Sequence, residues 1–202
     1  MFHAKLRLSA FQKCLTLCLY CLLSLSLQAG EGDATPLTGN AKFPDVVLLD
    51  QDGNKVHFYK DLVQDKVVAI NFIFTSCPTI CPPMGVNFGK LQQLLGDHAA
   101  RNINLISISV DPTTDTPQRL KAWAAKFGAQ PGWTLLTGAK HDVDTLLKAM
   151  NSFSADITSH SPTVLIGNEA TGNWTRADGL GAPAHLASAI QSVLKTTGGK
   201  PQ

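Results

Sequence analysis

Two cysteines, Cys77 and Cys81, stand three residues apart in INFIFTSCPTICPPM (70–84), just after an apolar run and among prolines at 78, 82 and 83. Pro82 and Pro83 lack an N–H, so they fit only the first turn of a helix, and Cys81 must stand at its beginning. The free N–H groups and the dipole at such a helix mouth favour thiolate over thiol. Four residues of spacing let both sulfurs approach on one side of a tight turn. Two converging thiolates can close to a disulfide or hold a soft metal ion. A static bridge would close a very short loop and constrain little of the unfolded chain. The spacing itself does not separate redox from metal chemistry.

A third donor would decide between them. Histidines follow the N-terminal segment at 57, 98, 141, 160 and 185. His57 falls in a predicted strand, and His98, His141 and His185 fall in or beside helices with polar neighbours, where a solvated or capping role is expected. His160 differs. It lies in TSHSPTVLIG, immediately before a predicted strand. Met84 offers a thioether near the cysteines, although helix-face packing accounts for it. Asp111 and Asp115, in DPTTDTP, read as turn former and helix entry before Pro112 and Pro117.

The elements that must position these residues follow from hydrophobic patterning. FPDVVLLDQDGNKVHF reads as an N-terminal hairpin turning at Asp52-Gly53. KVVAINFIF (66–74) is a continuous apolar run, as for a strand buried on both faces. The spacing predicts a helix from about Pro82 to Leu95 and a second buried strand over 103–110. A helix capped by Thr116 and entered by Pro117 comes next, with Leu120, Trp123, Ala124 and Phe127 on one face. A short strand (133–137) leads to a helix marked by Val143, Leu146, Leu147 and Met150. PTVLIG and NWTRA form a second hairpin, and a last helix spans about 183–195. NWT matches a glycosylation sequon, read as accidental. This order predicts an α/β fold, a thioredoxin-like sandwich with a central mixed sheet flanked by helices. Such topology brings the His160 loop opposite the cysteines. Chemistry collects at the carboxyl ends of strands in open α/β sheets, where Cys77, Cys81 and Asp111 all fall.

Domain organisation and compartment come from the N-terminus. Residues 1–29 carry Lys5, Arg7 and Lys13, no acid, and an apolar stretch from Cys14 to Leu27. That stretch is shorter than the roughly 20 residues that span a bilayer. It is expected to be a signal peptide cut after Ala29, with an uncleaved anchor as the alternative. Residues 30–42 read as a polar linker, 43–197 as the domain and 198–202 as a tail. Cys14, Cys18 and Cys21 then serve as small hydrophobes in the signal. The exported domain keeps two cysteines, in a compartment where thiols can oxidise. Without Lys5, Arg7 and Lys13 the formal net charge of +2 becomes −1. Nothing in that balance suggests a nucleic-acid partner, which would want a concentrated basic face.

FTSCPTICPPM, ISISVDPTTDTPQRLKAWAAKFGA and SHSPTVLIG together resemble the Sco (SenC/PrrC) proteins over roughly residues 43–195. The resemblance implies a thioredoxin-fold metallochaperone that delivers copper to the Cu(A) site of cytochrome c oxidase. It also implies copper ligation by Cys77, Cys81 and His160. Thiolates suit Cu(I) and imidazole keeps Cu(II) acceptable. The expected partner is the oxidase subunit carrying Cu(A) or another copper protein. The expected location is the periplasm, free or anchored to the inner membrane. The chain departs from the commoner family pattern twice. Thr79 stands where an acid is frequent, and Pro162 follows the histidine. SPT before a strand is similar to the cis-proline loop of thioredoxins. A cis Ser161–Pro162 bond would favour the alternative, a thiol–disulfide oxidoreductase with Cys77 attacking and Cys81 resolving. A peroxidatic site is not evident, because Phe74 stands where those enzymes place Thr or Ser.

Overall fold

The computed structural model describes residues 35–37, 43–96 and 103–195. The segment read as a signal peptide, most of that read as linker, His98 and the segment read as a tail lie outside the described residues. Eight strands among the described residues form one mixed sheet: β1 (Thr35–Leu37), β2 (Val47–Asp50), β3 (Lys55–His57), β4 (Val67–Ile73), β5 (Ile103–Ser109), β6 (Trp133–Thr137), β7 (Thr163–Asn168) and β8 (Asn173–Asp178). Their spatial order is β1-β8-β7-β4-β5-β6-β2-β3. β4 pairs parallel with β5, and β5 with β6. The remaining pairs are antiparallel. Every residue of β4 is buried, as its unbroken apolar run requires of a central strand covered on both faces.

Among the described residues four α-helices flank the sheet: α1 (Cys81–Leu95), α2 (Pro117–Lys126), α3 (Lys140–Ala149) and α4 (Pro183–Lys195). α1 and α2 share a face of the sheet, since Phe88 and Trp123 both pack on the Trp133 ring of β6. α1 also comes close to the residue that ends α2. A Cβ at Gly89 would lie 2.3 Å from the Phe127 carbonyl oxygen, and one at Gly85 would lie 2.6 Å from the Phe127 ring. The Thr116 hydroxyl accepts from the Arg119 N–H and caps α2 as expected. The β2–β3 turn uses Gly53 at φ 84°, with the Asp50 carboxylate accepting from the backbone N–H groups of Asp52 and Asn54.

Three elements depart from the sequence reading. β1 lies inside the segment read as linker and pairs with β8. A single turn of π-helix, Phe58–Val63, follows β3. A short 3₁₀ turn, Ile157–Ser159, immediately precedes His160. The Ser161–Pro162 bond is trans, since no peptide bond among the described residues is cis. The thioredoxin-type cis loop is therefore absent.

Candidate metal centre

β4 delivers Cys77 to the carboxyl end of the sheet. The turn closes where the Cys77 N–H donates to the Phe74 carbonyl at 3.2 Å. Cys81 is the first residue of α1, ahead of the two prolines that need no intrahelical acceptor there. Its N–H, one of the free donors of the helix mouth, points at Cys77 Sγ at 3.4 Å. Both cysteines are buried and both thiols are free.

His160 reaches the same place from a loop 79 residues further on, with Nε2 at 3.7 Å from Cys81 Sγ. The Asp156 carboxylate builds the turn before it, accepting from Thr158 N–H, Thr158 Oγ1 and Ser159 Oγ. The Phe74 ring packs edge-on against the imidazole, with centroids 5.7 Å apart. A chain of hydrogen bonds ties this loop to the cysteine helix. Gly179 N–H donates to the Pro162 carbonyl at 2.8 Å. Asn87 of α1 donates to the carbonyls of Gly179 and Gly181 at 2.8 and 2.9 Å.

One ligand atom from each of Cys77, Cys81 and His160 lies within 4.8 Å of the others. Donors that each sit about 2.0–2.3 Å from an ion are at most about 4.6 Å apart. A small inward adjustment therefore closes the set around one metal. Two sulfurs and one imidazole nitrogen form a soft donor group that favours copper or zinc over magnesium or calcium.

The two thiols are not equivalent. Burial pushes the Cys77 thiol up, but hydrogen bonds from Cys81 and Thr79 outweigh it and leave Cys77 more acidic than an ordinary thiol. Burial and the hydrogen bond to Cys77 push Cys81 up to about 12. The sequence placed the stabilising influence of the helix mouth on Cys81. It falls instead on Cys77, because the Cys81 N–H points there while the Cys81 sulfur sits below the surface. Burial lowers the His160 pKa, and its Ser161 backbone contact opposes this only in part. The ring is therefore neutral at physiological pH, the form that binds metal.

The other sequence candidates sit elsewhere. His57 Nδ1 lies 3.2 Å from Asp45 at the exposed end of β3. His141 and His185 are exposed on helices. Met84 is buried beneath the loop at Gly179. The Asp111 carbonyl accepts from the N–H groups of Thr114 and Asp115, so Asp111 is the turn former it resembled. Asp115 departs from that reading. Its carboxylate is fully buried and accepts from Thr75 and Ser109. Sequence reasoning passed over Thr75 and Ser109, whose part depends on the burial of the Asp115 carboxylate, which the sequence does not show.

The SCO1/SenC family model matches residues 36–195. This chain belongs to the SCO1/SenC family. It is 38% identical over 137 residues to the SCO1 protein homolog of Bacillus subtilis (strain 168), a match covering 66% of this chain and 66% of that protein. The match thus reaches just under two thirds of the relative's own length. A putative copper-binding protein of Stutzerimonas stutzeri is 32% identical over 107 residues, covering 53% of this chain and 50% of its own. Among solved structures, BsSco superposes with a TM-score of 0.65 at 26% identity, covering 82% of this chain and 99% of its own. BsSco is described as carrying a disulfide switch and as a member of the Sco family of cytochrome c oxidase assembly proteins. The thioredoxin-like architecture expected from the sequence is the architecture of these neighbours.

Proposed function

We propose that this member of the SCO1/SenC family is a copper metallochaperone. Cys77, Cys81 and His160 hold one copper ion, Cu(I) or Cu(II), and pass it to the Cu(A)-bearing subunit of cytochrome c oxidase or another copper protein. The observation that carries the reading is the convergence of two sulfurs and one imidazole from segments far apart in sequence. Three protein donors leave room for an incoming donor from the recipient, which transfer requires. Structural zinc, by contrast, takes four protein ligands. The Stutzerimonas relative, described as copper-binding, and BsSco, described as an oxidase assembly protein, agree with this assignment. In this reading residues 1–29 export the chain, by a cleaved signal or as an anchor. Residues 43–197 then work in the periplasm.

A second reading, thiol–disulfide exchange on a copper protein, draws on the acidic, outer Cys77 and the proton-holding Cys81 beneath it. Such a pair suits an attacking and a resolving thiol. Exchange needs only the two sulfurs, whereas the convergence of an imidazole on both of them is what a three-donor ion site requires, and this places copper first.

Titrating the reduced protein with Cu(II) separates the two. The expected result is a thiolate-to-copper absorption band saturating at one ion per chain. The band weakens in His160→Ala and vanishes in Cys77→Ser and Cys81→Ser. No band in the wild type, with ready turnover of a disulfide substrate, overturns the chaperone reading in favour of the second.

A further inference from the structure

Cys77 stands two residues beyond Thr75, and Thr75 is held by one buried group. The Thr75 N–H donates to both Asp115 carboxylate oxygens, at 3.2 and 3.1 Å, and Thr75 Oγ1 donates to Oδ1 at 2.5 Å. Ser109 Oγ, at the end of β5, donates to Oδ2 at 2.7 Å. Thr137 Oγ1, at the end of β6, donates to the Asp115 backbone carbonyl at 2.8 Å. Asp115 thus gathers the carboxyl ends of three adjacent parallel strands, β4, β5 and β6. Its side chain is 0% exposed. Arg119, half-exposed, supplies charge from 4.0 Å and donates through Nε to Thr75 Oγ1 at 3.2 Å. A buried carboxylate is retained only where its oxygens are met by donors. Here those donors belong to the turn that presents Cys77.

We propose that Asp115 is a positioning residue for the site. Through the Thr75 N–H and hydroxyl it fixes the Thr75–Ser76 turn, and so fixes where Cys77 Sγ sits relative to Cys81 and His160. The inference rests on reading those three residues as the functional site, whether for copper or for disulfide chemistry. Helix entry by Thr116 and Pro117 needs no buried carboxylate, so the position of Asp115 one residue earlier is explained by what it holds on β4 and β5. Among the described residues, the acceptor for the Thr75 N–H is this carboxylate.

The test compares Asp115→Asn and Thr75→Val with Leu147→Ala, a core variant on α3 that lowers stability without touching the network. Two readouts are taken. One is the equilibrium of the metal-free Cys77–Cys81 dithiol with glutathione, in which two glutathione thiols and the protein disulfide exchange for glutathione disulfide and the protein dithiol. The other is the Cu(II) absorption band. Asp115→Asn is expected to lower the effective concentration of the two thiols for each other about tenfold and to shift the band. Thr75→Val moves both in the same direction by less, and Leu147→Ala moves neither. Asp115→Asn with a lowered unfolding midpoint but both readouts at wild-type values overturns the proposal. If Asp115→Asn does not fold, wild-type readouts in Thr75→Val overturn it instead. Should the wild type give no copper band, the copper reading fails, and the glutathione equilibrium still judges Asp115 alone.

Discussion

Cys81 keeps its proton at neutral pH, because burial and its hydrogen bond to Cys77 raise its pKa to about 12. An ion that takes this sulfur as ligand must displace that proton. Capture and proton release are therefore linked, and affinity must rise with pH. Cys77, more acidic than an ordinary thiol, contributes at most one further proton and less as pH rises through its own titration. His160 titrates below its ordinary value of 6.5, so above that pH it binds as the neutral ring and adds no slope. Copper affinity, measured by competition with a chelator of known pH response, should rise by between about one and two decades per unit from pH 7 to 8.5. A flat profile would mean that Cys81 is not a ligand. Release of the cargo should accordingly be easier in an acidified compartment, with Cys81 reclaiming its proton first.

At the scale of elements, the site is accurate only if α1 sits where it does. Its approach to α2 is set by Gly85 and Gly89, four residues apart on one helix face and both against Phe127. A methyl group at position 89 meets a backbone carbonyl, which cannot swing aside. One at position 85 meets the Phe127 side chain, which must shift against Trp123 to make room but is not backbone. Overpacking costs roughly 1–3 kcal/mol, against a gain of about 1 kcal/mol for replacing glycine by alanine within a helix. Gly89→Ala should therefore lower the urea midpoint more than Gly85→Ala. Equal midpoints for the two variants would show that the close approach is not limiting. This helix was legible in the sequence because its prolines and apolar spacing agreed. So were β4 and β5, whose long apolar runs are typical of strands covered on both faces. β1 was not, because a three-residue edge strand carrying Pro36 has no periodicity to read and edge strands tolerate proline. The π turn at Phe58–Val63 and the 3₁₀ turn at Ile157–Ser159 escaped for the same reason, being too short to repeat. The isomer at Pro162 depends on tertiary packing, which local sequence does not encode. The thiol asymmetry likewise depends on which sulfur the α1 N–H faces.

For the whole molecule, the question is whether the metal builds the fold or the fold builds the metal site. In small metal-dependent domains the ligands replace a core, and chelation unfolds the chain. Here Cys77 and Cys81 join a hydrophobic cluster that runs from Leu48 and β4 through Phe88, Trp133 and Leu147 to Ile190, and none of its other members is a candidate ligand. The Gln92 side chain adds a fixed tie between α1 and the loop before β6, donating to the Gln130 and Pro131 carbonyls and accepting from the Gln130 N–H. Such a scaffold should hold two thiols and an imidazole close together before any ion arrives, at little entropic cost on binding. Copper should then stabilise the protein only by mass action, about 2.7 kcal/mol when free ion is a hundredfold above Kd. For a domain of this size that is a rise of roughly 5–11 °C in Tm. The metal-free protein and the Cys77→Ser, Cys81→Ser double variant should both unfold in one cooperative transition with unchanged far-ultraviolet circular dichroism. The variant should also lack the copper-dependent rise. Loss of secondary structure on chelation would reverse the dependence argued here, making the ion a part of the core rather than its cargo.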